Sequence, residues 1–173
     1  QKPDVAVFIW LLSSGEPQVG VVYHPFRLEL FCASTGLGAT CNRRPMQVSQ
    51  NTELSKSLLV SSFAYDRRET KDNNYAEFCH LTHITQGVRR SGSASLDLAD
   101  VACGRLDGYW ARGLSPWDLA AGIVLVEEAG GQVTAYDGSR LVISSGRILA
   151  TNRQVHEQLS QELLQVPPLS TWG

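Results

Sequence analysis

No run of apolar residues in this sequence is long enough to cross a bilayer; the longest are interrupted by glycine, proline or charge. There is no basic block either. With 15 Lys and Arg against 17 Asp and Glu, the formal net charge is −2, which leaves no electrostatic footprint for nucleic acid or an anionic membrane. The four cysteines, Cys32, Cys41, Cys79 and Cys103, include no C-x-x-C pair. Cys79-His80 with His83 has ligand-like spacing but lacks a second pair, so a zinc site is not expected. Free thiols in a reducing, cytoplasmic setting are. The start, QKPDVAVFIW, has neither the basic opening nor the small-residue cleavage site of a secretory signal, and no initiator Met. The chain is expected to be processed, trimmed or part of a longer protein. Internal repeats and low-complexity segments are also missing.

What is present is a globular composition. The chain has 173 residues, 43% apolar and 18% charged, enough to bury a sizeable core. Residues 4–12 (DVAVFIWLL), 19–25 (VGVVYHP) and 27–35 (RLELFCAST) read as three strands of an antiparallel meander, with SSGEPQ as a turn. Gly36 and Gly38 punctuate the segment after the third strand. Residues 57–63 (SLLVSSF) read as a short buried strand. Residues 73–82 place Tyr75, Phe78, Cys79 and Thr82 on one helical face. GVRRSG (87–92) reads as a strand and turn. The next helix puts Leu96, Ala99, Val101 and Cys103 inward and ends at Gly104. QVTAYDG, RLVISS and RILATN suggest three β pieces, and residues 156–165 an amphipathic helix with Leu159, Leu163 and Leu164 facing inward. The organisation is α/β, an α+β layered sandwich in which an antiparallel sheet precedes a mixed α/β layer. A boundary near residues 46–56 divides a partial sheet region, 1–53, from an α/β region, 54–173.

One acid stands out. In SPWDLAAGIVLVEEAGG, Asp118 sits at the mouth of an otherwise apolar helix. Ser115 is a good N-cap, Pro116 suits the first helical position, and Asp118 is then the reaching-back residue of a capping box. A cap uses only part of a carboxylate's hydrogen-bonding capacity. Mg²⁺ takes few protein carboxylates and accepts phosphate oxygens, and a helix N-terminus also attracts phosphate. Asp118 is therefore readable as a cap or as a metal ligand. A second helix start, RRSGSAS, places Gly92 and Ser93 where backbone N–H groups point outward, although Ser93 can equally cap its own helix.

These stretches together carry a resemblance. Trp117-Asp118-Leu119-Ala120-Ala121-Gly122, followed by Leu125-Val126-Glu127-Glu128-Ala129-Gly130-Gly131, resembles the C-terminal signature of the inositol monophosphatase family. GVRRSGSASLDLADVACGRLDGYW, the VGVVYHPFRLELF run, NRRPMQVS and ILATN fit the same family, so the resemblance covers essentially the whole chain. It implies part of an α/β/α/β/α layered fold and Mg²⁺-dependent hydrolysis of a small-molecule phosphate monoester, by default an inositol phosphate. It also implies a homodimer and inhibition by lithium. It assigns Asp118 as a metal ligand and Gly92, Ser93 and Ala94 as substrate-binding residues.

Two departures qualify it. The family's principal metal motif, D-P-x-D-G-T, and its upstream glutamate are absent, and Asp137-Gly138-Ser139 is a turn, not a substitute. Ala111 stands where the family commonly carries a glutamate that bonds the inositol ring. Phe8 and Trp10 are also bulky where the family has small residues. No residue here is assigned as catalytic, and the chain alone is expected to be inactive. The alternative is a truncated, non-catalytic remnant that binds or regulates a partner. A phosphate-binding module without metal is a third reading. Asp97, Asp100 and Asp107 read as solvated helix-face or turn residues, and Arg89 and Arg90 as facing phosphate, the surface or a dimer contact.

Overall fold

The computed structural model describes residues 5–13 and 15–167. The first sheet is an antiparallel meander of five strands in chain order: β1 (Val7–Ser13), β2 (Glu16–His24), β3 (Glu29–Ser34), β4 (Gly38–Cys41) and β5 (Arg44–Pro45). The second holds β6 (Leu58–Ser62), β7 (Gly87–Arg89), β8 (Gly108–Ala111), β9 (Gln132–Thr134) and β10 (Ile148–Thr151), in the order β7-β6-β8-β10-β9. Here β6 runs parallel to β7 and β8, while β10 is antiparallel to both its neighbours. Four helices accompany the sheets: α1 (Tyr75–Ile84), α2 (Ala94–Ala102), α3 (Pro116–Glu128) and α4 (His156–Gln165).

Alternation along the strands of the second sheet sets the layering. Val60, Tyr109, Ala111, Ile148 and Ala150 point to one face, into a core shared with α2, α3 and the inner face of the first sheet. Leu59, Trp110 and Leu149 point the other way, onto Leu81 of α1 and Leu159 and Leu163 of α4. The order is sheet, helix pair, sheet, helix pair. Helix α3 lies in the middle, so Leu119 to Val126 are all buried, which explains a helix with no polar face. Two glycines permit this closeness. A Cβ on Gly20 of β2 would stand 2.3 Å from the Ala121 carbonyl oxygen, and one on Gly122 would stand 2.4 Å from Leu98 of α2.

Several sequence expectations shift. Glu16 and Pro17 belong to β2; the turn before it is confined to its edge, with Gly15 at φ +82°. RLVISS is no strand: Ile143–Ser145 forms a 3-10 turn closed by Gly146 at φ +67°, seated against the Leu114 backbone. Leu164 is exposed, because Leu159 and Leu163, four apart, take the inward stripe of α4. On α1 the buried residues are Ala76, Glu77 and Leu81, while Cys79 and Thr82 face solvent. The cause is the helix anchor. Buried Asn74, at φ +71°, donates to Ser61 Oγ (2.7 Å) and the Ser62 carbonyl (3.0 Å) and accepts from Trp110 Nε1 (2.6 Å). That clamp fixes the rotation of α1 and turns Glu77 toward buried Arg112, 2.6 Å away.

The connection from Met46 to Lys56 is packed. Met46 and Val48 are buried, Val48 N–H donates to the Ala129 carbonyl (3.1 Å), and Asn152 donates to Ser49 and Asn51. Asp107 belongs to this seam. It accepts from Ser49 Oγ (2.5 Å) and the Leu58 N–H (2.7 Å), so it is a buried clamp and not a solvated turn residue.

Candidate functional site

Helices α2 and α3 both begin at the edge of one cavity of about 410 Å³. Its walls include Gly92, Ser93, Ala94 and Ser95 from the start of α2, Asp118 and Leu114 from the start of α3, and Phe8 from β1. Ser62 at the end of β6, Phe63, Tyr65 and Arg67 just after it, and Arg90, after β7, complete it. The residues singled out from sequence (Gly92, Ser93, Ala94 and Asp118) thus meet at one place. The parallel pairing of β6 with β7 and β8 accounts for this, because it brings the C-terminal ends of these strands and the following helix starts to the same side.

Asp118 does act in a cap. The Ser115 N–H donates to Asp118 Oδ2 at 3.2 Å, and Pro116 occupies the first turn. The cap engages one carboxylate oxygen, and the half-buried side chain also lines the cavity, so cap and cavity roles coexist. At the other helix start Gly92 has φ +103°, a conformation that disfavours other residues, and its α-carbon faces open space. Ser93 is the N-cap of α2, with its hydroxyl 3.4 Å from that of Ser95.

Asp97 departs from expectation. It is buried on the first turn of α2 and accepts a short hydrogen bond from the Ser91 hydroxyl, which pins the RSG turn. Asp97 and Asp118 both lie in the electrostatic reach of Tyr109, whose phenol is pushed far above its ordinary range, first by burial and then by Asp97. Asp100 sits on α2, where it pairs with Arg105 (2.8 Å) and Arg27 (3.5 Å). Arg90 lines the cavity, whereas Arg89 is exposed on the edge strand β7.

The donor set is thin for a metal. Mg²⁺ asks for near-octahedral oxygen coordination, and Asp118 is the one carboxylate among the cavity-lining residues. Among the described residues no group of three or more His, Cys, Asp and Glu could hold an ion. Asp137 accepts from the Ser139 N–H (3.0 Å) in a surface turn, as its sequence suggested. The cysteines are free, and burial pushes the Cys103 thiol up to about 11. His80 contacts Glu162 (2.6 Å) between α1 and α4.

The sequence profile of the inositol monophosphatase family matches residues 1–167. The chain belongs to the inositol monophosphatase family. It is 67% identical over 165 residues to the inositol-1-monophosphatase of Synechocystis sp. PCC 6803, covering 95% of this chain and 58% of that one. The structure of inositol monophosphatase from Anabaena (Nostoc) sp. PCC 7120 superposes with a TM-score of 0.94 at 70% identity, over 96% of this chain and 66% of that one. Staphylococcal IMPase-II, solved with inositol monophosphate bound, is more distant, at 29% identity and a TM-score of 0.77 over 90% of this chain and 60% of that one. The chain therefore spans about three-fifths of the relatives it matches. Both the mixed α/β architecture and the family implied by the WD signature hold.

Local sequence gave no sign of Phe63, Tyr65 and Arg67. They reach the cavity from a polar segment without periodicity, and only the fold of β6 brings them there.

Proposed function

We propose that this chain carries the phosphate-binding half of a phosphomonoesterase site. The observation that carries this reading is the convergence of two helix N-termini, Gly92–Ser95 and Ser115–Asp118, on one cavity. The first-turn N–H groups of α2 and the positive ends of both helices stabilise a phosphate there. The glycine at position 92 lets it approach the backbone. In this reading Gly92, Ser93 and Ala94 bind the phosphate. The substrate is a small phosphate monoester, with inositol phosphate the first candidate. Staphylococcal IMPase-II, which binds inositol monophosphate, supports that class.

Mg²⁺ is the cofactor the family reading implies, and Asp118 is its one candidate ligand among the described residues. A single carboxylate does not make a magnesium cage, so the described residues do not fit the ion by themselves, and no chemical step is assigned through it. A homodimer in the cytoplasm is the state this reading expects. No described helix is long and apolar enough to cross a membrane.

The isolated chain is expected to bind inorganic phosphate in calorimetric titration yet show negligible Mg²⁺-dependent turnover of inositol phosphate. Ser93→Asp keeps a competent helix cap but sets a negative charge at the phosphate position. It should weaken binding by about 10-fold or more, since one charged hydrogen bond exceeds about 1.4 kcal/mol. Unchanged binding in that variant, or none in the parent chain, overturns the phosphate pocket. Robust turnover abolished by Asp118→Ala overturns the incomplete metal site. A second reading, a non-catalytic chain that binds a partner, is favoured by the exposed apolar side chains Val7, Ile9 and Leu11 on the outer face of the first sheet.

A further inference from the structure

The cavity has a second charged wall that the phosphate pocket does not use. Arg90 and Arg67 both line it, and both are held against the same dipeptide. The Arg90 guanidinium carbon lies 5.0 Å from the centroid of the Phe63 ring, a cation–π stacking arrangement. Arg67 Nη1 donates to the Ala64 carbonyl at 3.2 Å. The Phe63 ring is itself fixed, 5.0 Å from Tyr75 and 5.6 Å from Phe78 of α1.

Several arginines elsewhere are neutralised: Arg105 by Glu29 and Asp100, Arg112 by Glu77 and Asp72, Arg140 by Glu16, Arg147 by Asp72. Arg67 and Arg90 have no carboxylate partner among the described residues. Each is anchored through an uncharged contact that fixes the side chain and leaves the charge available.

Two preorganised guanidiniums exceed what a neutral polyol needs. A neutral cyclitol offers hydroxyls, which bring no charge for a guanidinium to pair with. Guanidinium forks match phosphate oxygens in charge and geometry. A volume of about 410 Å³ also suits a whole phosphorylated sugar, since small-molecule sites begin at roughly 300 Å³. We infer that Arg67 and Arg90 form a second anion subsite, so that the preferred ligand is a sugar or polyol carrying a second phosphate on the half that faces residues 63–67. This rests on the phosphate pocket proposed above, and makes the two arginines specificity-determining residues of that site.

The test is calorimetric titration of the 173-residue chain at fixed Mg²⁺ with a hexose bisphosphate, the matching hexose monophosphate and inorganic phosphate. The bisphosphate should bind about 10-fold tighter than the monophosphate, as expected for one charge-assisted contact. The double variant Arg67→Gln/Arg90→Gln should erase that advantage and leave monophosphate affinity within about twofold. The single variants, both of cavity-lining residues, should each lose part of it, and far-UV circular dichroism checks their fold. Equal affinity for bisphosphate and monophosphate overturns the second subsite alone, as does an advantage that survives the double variant. Failure of all three ligands to bind overturns the phosphate pocket and the subsite with it.

Discussion

Asp118 shows how one side chain serves two neighbourhoods. Its Oδ2 closes the capping box with the Ser115 N–H, and its carboxylate lines the cavity. Both roles follow from its place on the first turn of α3, where a negative charge meets the positive end of the helix. The cap role has a stability consequence that needs no ligand. Replacing Asp118 with Ala should cost about 1 kcal/mol, the range for losing a capping contact, read as a lower midpoint in urea unfolding with unchanged slope. Asp118→Asn removes the charge but retains an acceptor, so it should lose less. Equal stability of Asp118→Ala and the parent would show that Ser115 and Pro116 start the helix unaided. The acid was legible in the sequence because Ser115, Pro116 and Asp118 are adjacent. Arg67 and Phe63 were not, because their place in the site depends on the end of β6 meeting α2 across the sheet. Asp97 was hidden for a related reason: an acid on a short helix looks solvated until the Ser91 turn folds over it.

At the scale of elements, the joints rather than the cores carry the polar chemistry. His156 at the start of α4 ties that helix to two strands, with Nε2 2.8 Å from Thr134 Oγ1 of β9 and Nδ1 2.9 Å from Thr151 Oγ1 of β10. Thr134 already donates to the Ala135 carbonyl (2.6 Å), so the network assigns the proton to Nε2 and makes Nδ1 an acceptor for Thr151. Burial pushes this imidazole down to about 4. The unfolded chain, near the ordinary histidine value, then binds a proton at higher pH than the folded one. Between about pH 6.5 and 4 the unfolded state is the more protonated, so stability falls as the pH is lowered through that window. Urea unfolding at pH 7 and pH 5 should show a loss of about 2 kcal/mol, the equivalent of about 1.5 pH units. His156→Gln should be less stable at pH 7 and should lose much of the pH dependence; an unaltered slope would assign that dependence to other groups. The strands and helices around this joint were largely readable from periodicity. The rotation of α1 was not, because buried Asn74 sets it, and a polar residue before a helix carries no period.

For the whole molecule, the first sheet is the decisive feature. Strand register puts Phe8 and Trp10 of β1 opposite Val22 and Gly20, facing the helix layer, so their bulk packs inward. Val7, Ile9 and Leu11 then share the outer face with Tyr23, Val21 and Val19, and Leu30 and Cys32 of β3 extend it. Val7, Ile9 and Leu11 are 57%, 65% and 58% exposed. Among the described residues strand β1 is also a sheet edge, with β2 as its one neighbour in the strand order. A long apolar edge strand whose outer face is open promotes association between chains. The layered order of sheet and helix pairs was implied by the WD signature and by alternating segments; the exposure of Val7, Ile9 and Leu11 was not, because a near-continuous apolar run does not show which face of a strand is packed. The 173-residue chain should therefore sediment as a concentration-dependent mixture of species, with solubility below that of relatives of full length. Ile9→Lys with Val21→Lys places two charges side by side on the outer face, away from the core and from the cavity. That variant should sediment as a monomer over the same range while binding phosphate as before. A parent chain that is already monodisperse at high concentration would show that this face does not drive association.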